Sequence, residues 1–160
     1  MVGTRLLSLV LLSALALGAK PAVATNDKTF PGANCLPRGD NIAFTRVEGI
    51  VISDAEFSTP WTCPIARDIM RANSLEYANI ILFRPSGAQI SCTFLSRNAE
   101  FSDVTRVDSG PPVNVGENRV MLEFARGRSI IPSAHQGVYS IICNVSQGVG
   151  FLSYRIEENE

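Results

Sequence analysis

The sequence predicts an all-β protein, an antiparallel and jelly-roll-like β-sandwich of about eight or nine strands with two disulfides. Three observations lead to this prediction. Apolar residues alternate with period two through most of the chain after residue 24. Segments rich in glycine and proline separate these stretches at intervals of about ten residues. Four cysteines follow a segment with the features of an export signal, which predicts an oxidising compartment for them.

The first 24 residues resemble a secretory signal peptide. Arg5 supplies a positive charge, residues 6–18 form a short apolar run, and the small-residue motif A-V-A ends at Ala24. The run is shorter than the roughly 20 residues that a transmembrane helix needs. We therefore predict cleavage after Ala24 and a single mature domain over 25–160. We expect a secreted or periplasmic location and no membrane anchor after cleavage.

The alternating segments are interpreted as strands that turn one face towards a core. In the last of them, Leu152, Tyr154 and Ile156 would share one face and Phe151 would lie on the opposite face. The stretch 65–75 also has apolar residues at helical spacing, and either a short helix or a strand followed by a polar loop explains it. The predicted strands are 46–53, 61–65, 77–84, 90–95, 103–107, 120–125, 138–145 and 151–156.

The four cysteines predict two disulfides, although four cysteines allow three connectivities. We favour Cys35–Cys63, which ties the N-terminal segment to an early strand. We also favour Cys92–Cys143, which joins two strongly strand-like segments. The wide spacing includes no C-x-x-C pair, which argues against a zinc ribbon or a redox motif. Buried free thiols are the alternative.

The distribution of charge argues against a nucleic-acid partner. Without Arg5 and Lys20 the mature chain keeps 12 of 14 basic residues against 15 acidic ones. The arginines are scattered among acidic residues, and Arg126 with Arg128 is the nearest approach to a cluster. Because nucleic-acid binding relies on clustered cations that neutralise phosphates, we predict no such partner.

Several short motifs around the cysteines occur in a fixed order along the chain. They are G-D-N-I-A-F at 39–44 after Cys35, W-T-C-P-I-A-R-D at 61–68, C-T-F-L-S-R at 92–97, Tyr139 four residues before Cys143, and S-Y-R-I-E at 153–157. Over 35–157 these motifs resemble a group of small uncharacterised secreted bacterial proteins with four cysteines. The resemblance implies an exported β-sandwich with two disulfides, and it implies no activity.

The residues that could support catalysis form no recognisable constellation. His135 is the only histidine and lies between a proline and a glycine, as in a loop, and no G-x-S-x-G motif is present. Asp54 and Glu56 could supply a glycosidase carboxylate pair or ligands for calcium, but acids in a solvated turn are the preferred interpretation. We therefore expect no catalytic residue, no metal site and no cofactor.

Two aromatic residues are the candidates for binding a ligand. Trp61 is the only tryptophan, Phe57 lies nearby, and exposed aromatic rings can stack on sugar rings. The alternative for Trp61 is favoured: it shares strand parity with Cys63, so it would pack over the disulfide in the core. We predict a secreted, non-enzymatic structural or binding module. The alternatives are a glycan-binding module and a carboxylate-dependent glycoside hydrolase; the partner would be a glycan or another secreted protein.

Overall fold

The computed structural model describes residues 25–40, 42–66, 75–97, 104–124 and 138–159. These residues form twelve strands and one short 3-10 helix at Gly32–Asn34. The strands are β1 (Thr25–Pro31), β2 (Leu36–Pro37), β3 (Phe44–Val47), β4 (Ile50–Ser53), β5 (Thr59–Ile65), β6 (Leu75–Phe83), β7 (Ile90–Arg97), β8 (Val104–Asp108), β9 (Val113–Gly116), β10 (Arg119–Phe124), β11 (Val138–Val145) and β12 (Gly150–Asn159).

The strands form two antiparallel sheets, which confirms the predicted β-sandwich. Sheet A has seven strands in the order β3-β4-β12-β6-β10-β9, and β1 also pairs with β12. Sheet B has five strands in the order β2-β5-β11-β7-β8. None of the residues in the described ranges forms a helix that is long and apolar enough to cross a membrane.

The core lies between the sheets and is rich in aromatic rings. Trp61 of sheet B packs on Phe151 of sheet A with ring centroids 5.0 Å apart. Phe94 of sheet B meets Phe124 of sheet A at 6.0 Å. These four side chains are fully buried. Alternation places every second residue of strands such as β5, β10 and β11 in this core, so the intervening residues face outwards.

Tyr154 connects the two sheets through a polar contact. Its Oη donates a hydrogen bond to the main-chain oxygen of Pro64 on β5 (2.5 Å). Burial raises the pKa of the Tyr154 phenol above its usual value, while a hydrogen bond with the Asn34 side chain acts in the opposite direction. The neutral phenol is therefore the form that the fold favours.

The two disulfides join the pairs that the sequence analysis favoured. Cys92 and Cys143 lie directly opposite each other on the paired strands β7 and β11. Cys35 follows the 3-10 helix and is bonded to Cys63 on β5. Since the chain passes from sheet A to sheet B between β1 and β2, this second bond fixes the crossing. The sequence separations of 51 and 28 residues correspond to roughly 4 and 3.5 kcal/mol in the chain-entropy description.

The strand prediction was wrong in its details near the N-terminus. The single strand expected at 46–53 is instead part of the hairpin β3–β4, because Glu48 and Gly49 both adopt left-handed backbone angles (φ 47° and 83°) and reverse the chain. Strands β1, β2 and β9 were not predicted, since they are polar or very short. In the stretch 65–75, Ile65 ends β5 and Leu75 begins β6. Residues 67–74 lie outside the described ranges.

A β-bulge in β12 changes which side chains face the core. The register with β6 shifts between Phe151 and Ser153. Phe151 is therefore buried together with Tyr154 and Ile156, although the sequence pattern placed it on the opposite face. Arg155 consequently lies on the outer face of sheet A, opposite the core. The bulge thus positions both a core ring and an outward-facing charge.

Gly32 packs directly against this bulge. A Cβ atom on Gly32 would lie 1.8 Å from the main-chain oxygen of Phe151 and 2.8 Å from the nitrogen of Leu152. Both atoms belong to the backbone of β12 and cannot rotate away. Only glycine allows the 3-10 helix to approach the bulge this closely.

Candidate functional site

The outer face of sheet A carries a group of polar side chains on four neighbouring strands. Across β12, β6 and β10, Arg155 pairs with Asn79 and Asn79 pairs with Glu123. In the adjacent row Glu157 pairs with Tyr77. Directly paired residues share one face of a sheet, so these side chains lie side by side. Together with Asp27 of β1, we call these residues the polar half of the outer face.

Hydrogen bonds join the β6 and β10 members of the polar half. Tyr77 Oη donates to Glu123 Oε1 (2.7 Å) and accepts from Asn79 Nδ2 (3.0 Å). Asn79 Nδ2 also lies 3.6 Å from the sulfur of Met121. Although Asn79 faces outwards, it is only 6% exposed, because its neighbours on the face cover it. The amide and the phenol are therefore held in defined orientations.

Ion pairs join the β12 and β1 members. Arg155 Nε donates to Asp27 Oδ1 (2.5 Å), and its Nη2 donates to Glu157 Oε1 (2.7 Å). The hydrogen bond with Asp27 raises the pKa of Arg155, so the guanidinium is charged at every physiological pH. All three side chains are partly exposed, at 39%, 44% and 29%, and a ligand could reach them from solvent.

The polar half carries more negative than positive charge. Three carboxylates, those of Asp27, Glu123 and Glu157, stand against the single guanidinium of Arg155. Chemically the group presents a phenol, carboxylates and a guanidinium at the surface, and the covered amide of Asn79 holds the phenol in place. These are hydrogen-bonding groups that can engage neighbouring hydroxyls of a ligand. No histidine, serine or cysteine belongs to the polar half.

Trp61, the first candidate from the sequence, lies in the core. Its ring is 0% exposed and contacts Phe44 (5.9 Å, edge to face) in addition to Phe151. Its Nε1 donates to Thr59 Oγ1 (3.1 Å), which satisfies the only polar group of the indole. The ring therefore presents no surface to a ligand. Trp61 therefore lies in the core, which is the interpretation that the sequence analysis favoured.

Phe57, the second candidate, is 74% exposed in the loop between β4 and β5, outside the polar half. Asp54 in the same loop accepts a hydrogen bond at Oδ2 from Thr45 Oγ1 (2.6 Å). Within the described ranges, no group of three or more His, Cys, Asp or Glu side chains could hold a metal ion. His135 lies outside these ranges.

The sequence analysis chose none of the six members of the polar half as a site residue, and it did not foresee that they would lie together. Their signal was present but weak: Asn79 and Glu123 are polar positions within otherwise apolar strands. Their meaning depends on the order of the strands in sheet A. Tyr77 and Glu123 are 46 residues apart in the chain and meet only because β6 lies beside β10.

Comparison with known proteins finds distant structural similarities, among them the following three. The chain is similar to the N-terminal endo-1,4-β-D-xylanase 10B of Clostridium thermocellum, with CBM22-1 and GH10 modules complexed with xylohexaose (TM-score 0.45, 13% identity, 84% of this chain and 28% of that one). It is similar to the GH26-CBM35 β-(1,4)-mannanase of Podospora anserina (TM-score 0.40, 12% identity, 84% and 28%). The third is a structure on the promiscuous specificity of carbohydrate-binding modules from the β-sandwich superfamily (TM-score 0.41, 10% identity, 85% and 56%).

The chain spans less than two thirds of each of these three matched chains. No family model and no curated protein matches it. Because the identities and TM-scores are low, we infer the function from the residues of this chain.

Proposed function

We propose that this protein is a non-enzymatic, secreted carbohydrate-binding module and that the polar half of the outer face of sheet A holds the sugar. The observation that supports the proposal is the hydrogen-bonded group of Tyr77, Asn79 and Glu123, which lies beside the ion pairs of Arg155 on the adjacent strand. Sugars present neighbouring hydroxyls that both donate and accept hydrogen bonds. Carboxylate and guanidinium groups match such pairs because each offers two polar atoms in one plane.

The rigidity of these groups favours binding. Tyr77 is fixed by two hydrogen bonds, and Arg155 is fixed by two carboxylates. Groups that are already ordered lose little conformational entropy when a ligand arrives, so more of the interaction energy appears as affinity. The phenol ring of Tyr77 adds apolar surface for the C–H faces of a sugar ring.

The charge of the polar half indicates the class of sugar. Three carboxylates against one guanidinium repel uronates and sulfated sugars, because like charges brought together at a surface oppose binding. Neutral sugars and amino sugars carry no such penalty. The ligand that fits this surface is a neutral or amino-bearing glycan.

The two disulfides support a role outside the cytoplasm, where such bonds form and persist. The predicted signal peptide also indicates export from the cytoplasm. A glycan outside the cell membrane is consistent with that location.

Titration calorimetry tests the proposal. The oxidised mature chain is titrated with soluble xylan, mannan and β-glucan as neutral glycans, with chitosan as the amino glycan, and with polygalacturonate as the anionic one. We expect binding to at least one neutral or amino glycan and none to polygalacturonate. Tyr77→Ala and Glu123→Ala should each lower affinity about tenfold, or about 1.4 kcal/mol.

Arg106→Ala is the matched control, because Arg106 is exposed on β8 of the other sheet. It should leave affinity unchanged. Polar pairs also stabilise the open face of a sheet without binding anything. If Tyr77→Ala and Glu123→Ala lower the unfolding midpoint but no glycan binds the parent protein, the network is structural and the proposal is wrong.

A further inference from the structure

The outer face of sheet A continues beyond the polar half along β6. Tyr77, Asn79, Ile81 and Phe83 alternate along this strand and share the outer face. Phe83 is paired with Arg119 on one side and with Gly150 on the other. The seven residues from Tyr77 to Phe83 span about 20 Å of extended strand. This is several times the width of one sugar ring.

The Phe83 end has its own open depression. Its lining comprises Phe83, Gly116, Glu117, Asn118 and Arg119, at the hairpin between β9 and β10. A second open depression adjoins it and is lined in part by Arg84, Asn114 and Asn118. An aromatic ring, amides and a guanidinium thus recur here, which is the combination found in the polar half.

The backbone holds this end in place. The main-chain N–H of Arg84, directly after β6, donates to the main-chain oxygen of Asn118 (2.6 Å). Asn118 takes a left-handed conformation (φ 53°) that closes the hairpin, a conformation that asparagine tolerates better than most residues. The depression is therefore built on hydrogen-bonded backbone.

Between the two ends, the outer face carries apolar side chains on β6 and β10. Ile81 and Met121 are paired across β6 and β10, and both are half-buried. Opposite Phe83, β12 carries Gly150, and a Cβ atom there would lie 3.4 Å from the Cβ of Phe83. Since glycine stands at that position, no side chain from β12 stands beside the ring.

We infer that the depression at Phe83 and Arg119 is a second sugar subsite, and that the ligand is a linear oligosaccharide lying along β6 with one end on each site. This inference rests on the proposed function of the polar half. The hydroxyls at one end meet Tyr77 and Glu123. The sugar C–H surfaces cross Ile81 and Met121, and the far end meets Phe83 and Arg119.

Chain-length dependence tests the inference. Linear β-1,4-linked gluco-, xylo- and manno-oligosaccharides from disaccharide to hexasaccharide are titrated calorimetrically into the oxidised mature protein. Affinity should rise with length until both subsites are filled and then stay constant. Arg119→Gln and Phe83→Leu should lower the affinity for the hexasaccharide about tenfold and leave disaccharide binding unchanged.

Tyr77→Ala should lower affinity for every length, and Arg106→Ala for none. If affinity is the same from disaccharide to hexasaccharide, or if Arg119→Gln and Phe83→Leu change nothing, the second subsite is refuted while the proposed function stands. If none of the probes binds, and none of the polymers binds either, both fail together.

Discussion

Replacing Gly32 by alanine should destabilise this protein by about 3 kcal/mol. A Cβ atom at this position would lie 1.8 Å from the main-chain oxygen of Phe151 and 2.2 Å from its carbon. An ordinary van der Waals contact is about 1.5 Å longer than either of these two distances. Both atoms belong to the backbone of β12. The 3-10 helix must therefore move away from the bulge, and overpacking of this kind costs about 1–3 kcal/mol or more.

Gly110→Ala is the control for this prediction. A Cβ atom at Gly110 has the main-chain oxygen of Glu123 as its nearest neighbour, at 3.8 Å, and the φ angle of Gly110 suits any residue. Replacing glycine by alanine at such a site is neutral or stabilises by about 0.4–1 kcal/mol, because the unfolded chain loses freedom. The comparison isolates the contact with the bulge from the general effect of the substitution.

Urea unfolding of both variants, followed by tryptophan fluorescence, provides the measurement. Trp61 packs on Phe151, so its emission reports on the part of the core next to the bulge. For a chain of this size, a loss of about 3 kcal/mol in the free energy of unfolding would also lower the melting temperature by roughly 10 °C. If Gly32→Ala unfolds at the same urea concentration as Gly110→Ala, the close approach to β12 is not a constraint and the reasoning is refuted.

Three further predictions concern stability. Lys28→Ala should cost about 1–3 kcal/mol in urea unfolding, because it removes the ammonium that is paired at 2.9 Å with the fully buried carboxylate of Glu158. Replacing Cys92 and Cys143 together by alanine should lower the free energy of unfolding by roughly 4 kcal/mol; an unchanged unfolding midpoint would show that the bond does not constrain the unfolded chain. Because the pKa of Tyr154 is raised in the folded state, its contribution to stability is complete below the ordinary tyrosine pKa of about 10 and is lost as pH rises through the folded-state value. Tyr154→Phe should flatten this alkaline decline in melting temperature, and an identical decline in both proteins would contradict it.

The sequence predicted the fold well where strands are regular. The alternation in β10 and β11 and the even number of cysteines were enough for an antiparallel sandwich with two disulfides. The errors occurred where the backbone departs from regular pairing. The bulge in β12 reverses the facing of Phe151, and the left-handed Glu48 and Gly49 turn one expected strand into a hairpin. A period-two pattern carries no information about such local irregularities.

The candidate site was less predictable than the fold for a different reason. Asn79, Glu123 and Arg155 lie on strands that are far apart in the chain, and only the order β12-β6-β10 brings them together. Sequence reasoning instead named Trp61 and Phe57 as candidates for stacking on a sugar, while it favoured core packing for Trp61. Trp61 is fully buried, as that favoured interpretation expects.

The alternation that hides the site from sequence analysis also explains its rigidity. Asn79 stands between the buried residues Ala78 and Ile80, and Arg155 stands between the buried residues Tyr154 and Ile156. Each outward-facing group is thus anchored by core side chains immediately before and after it. Moving the backbone of either residue by even an ångström would require a close-packed core to rearrange, which costs far more than a weak ligand contact returns. A ligand on this face therefore meets a preformed surface, and selectivity must come from the chemistry and length of the ligand and not from closure of the protein around it.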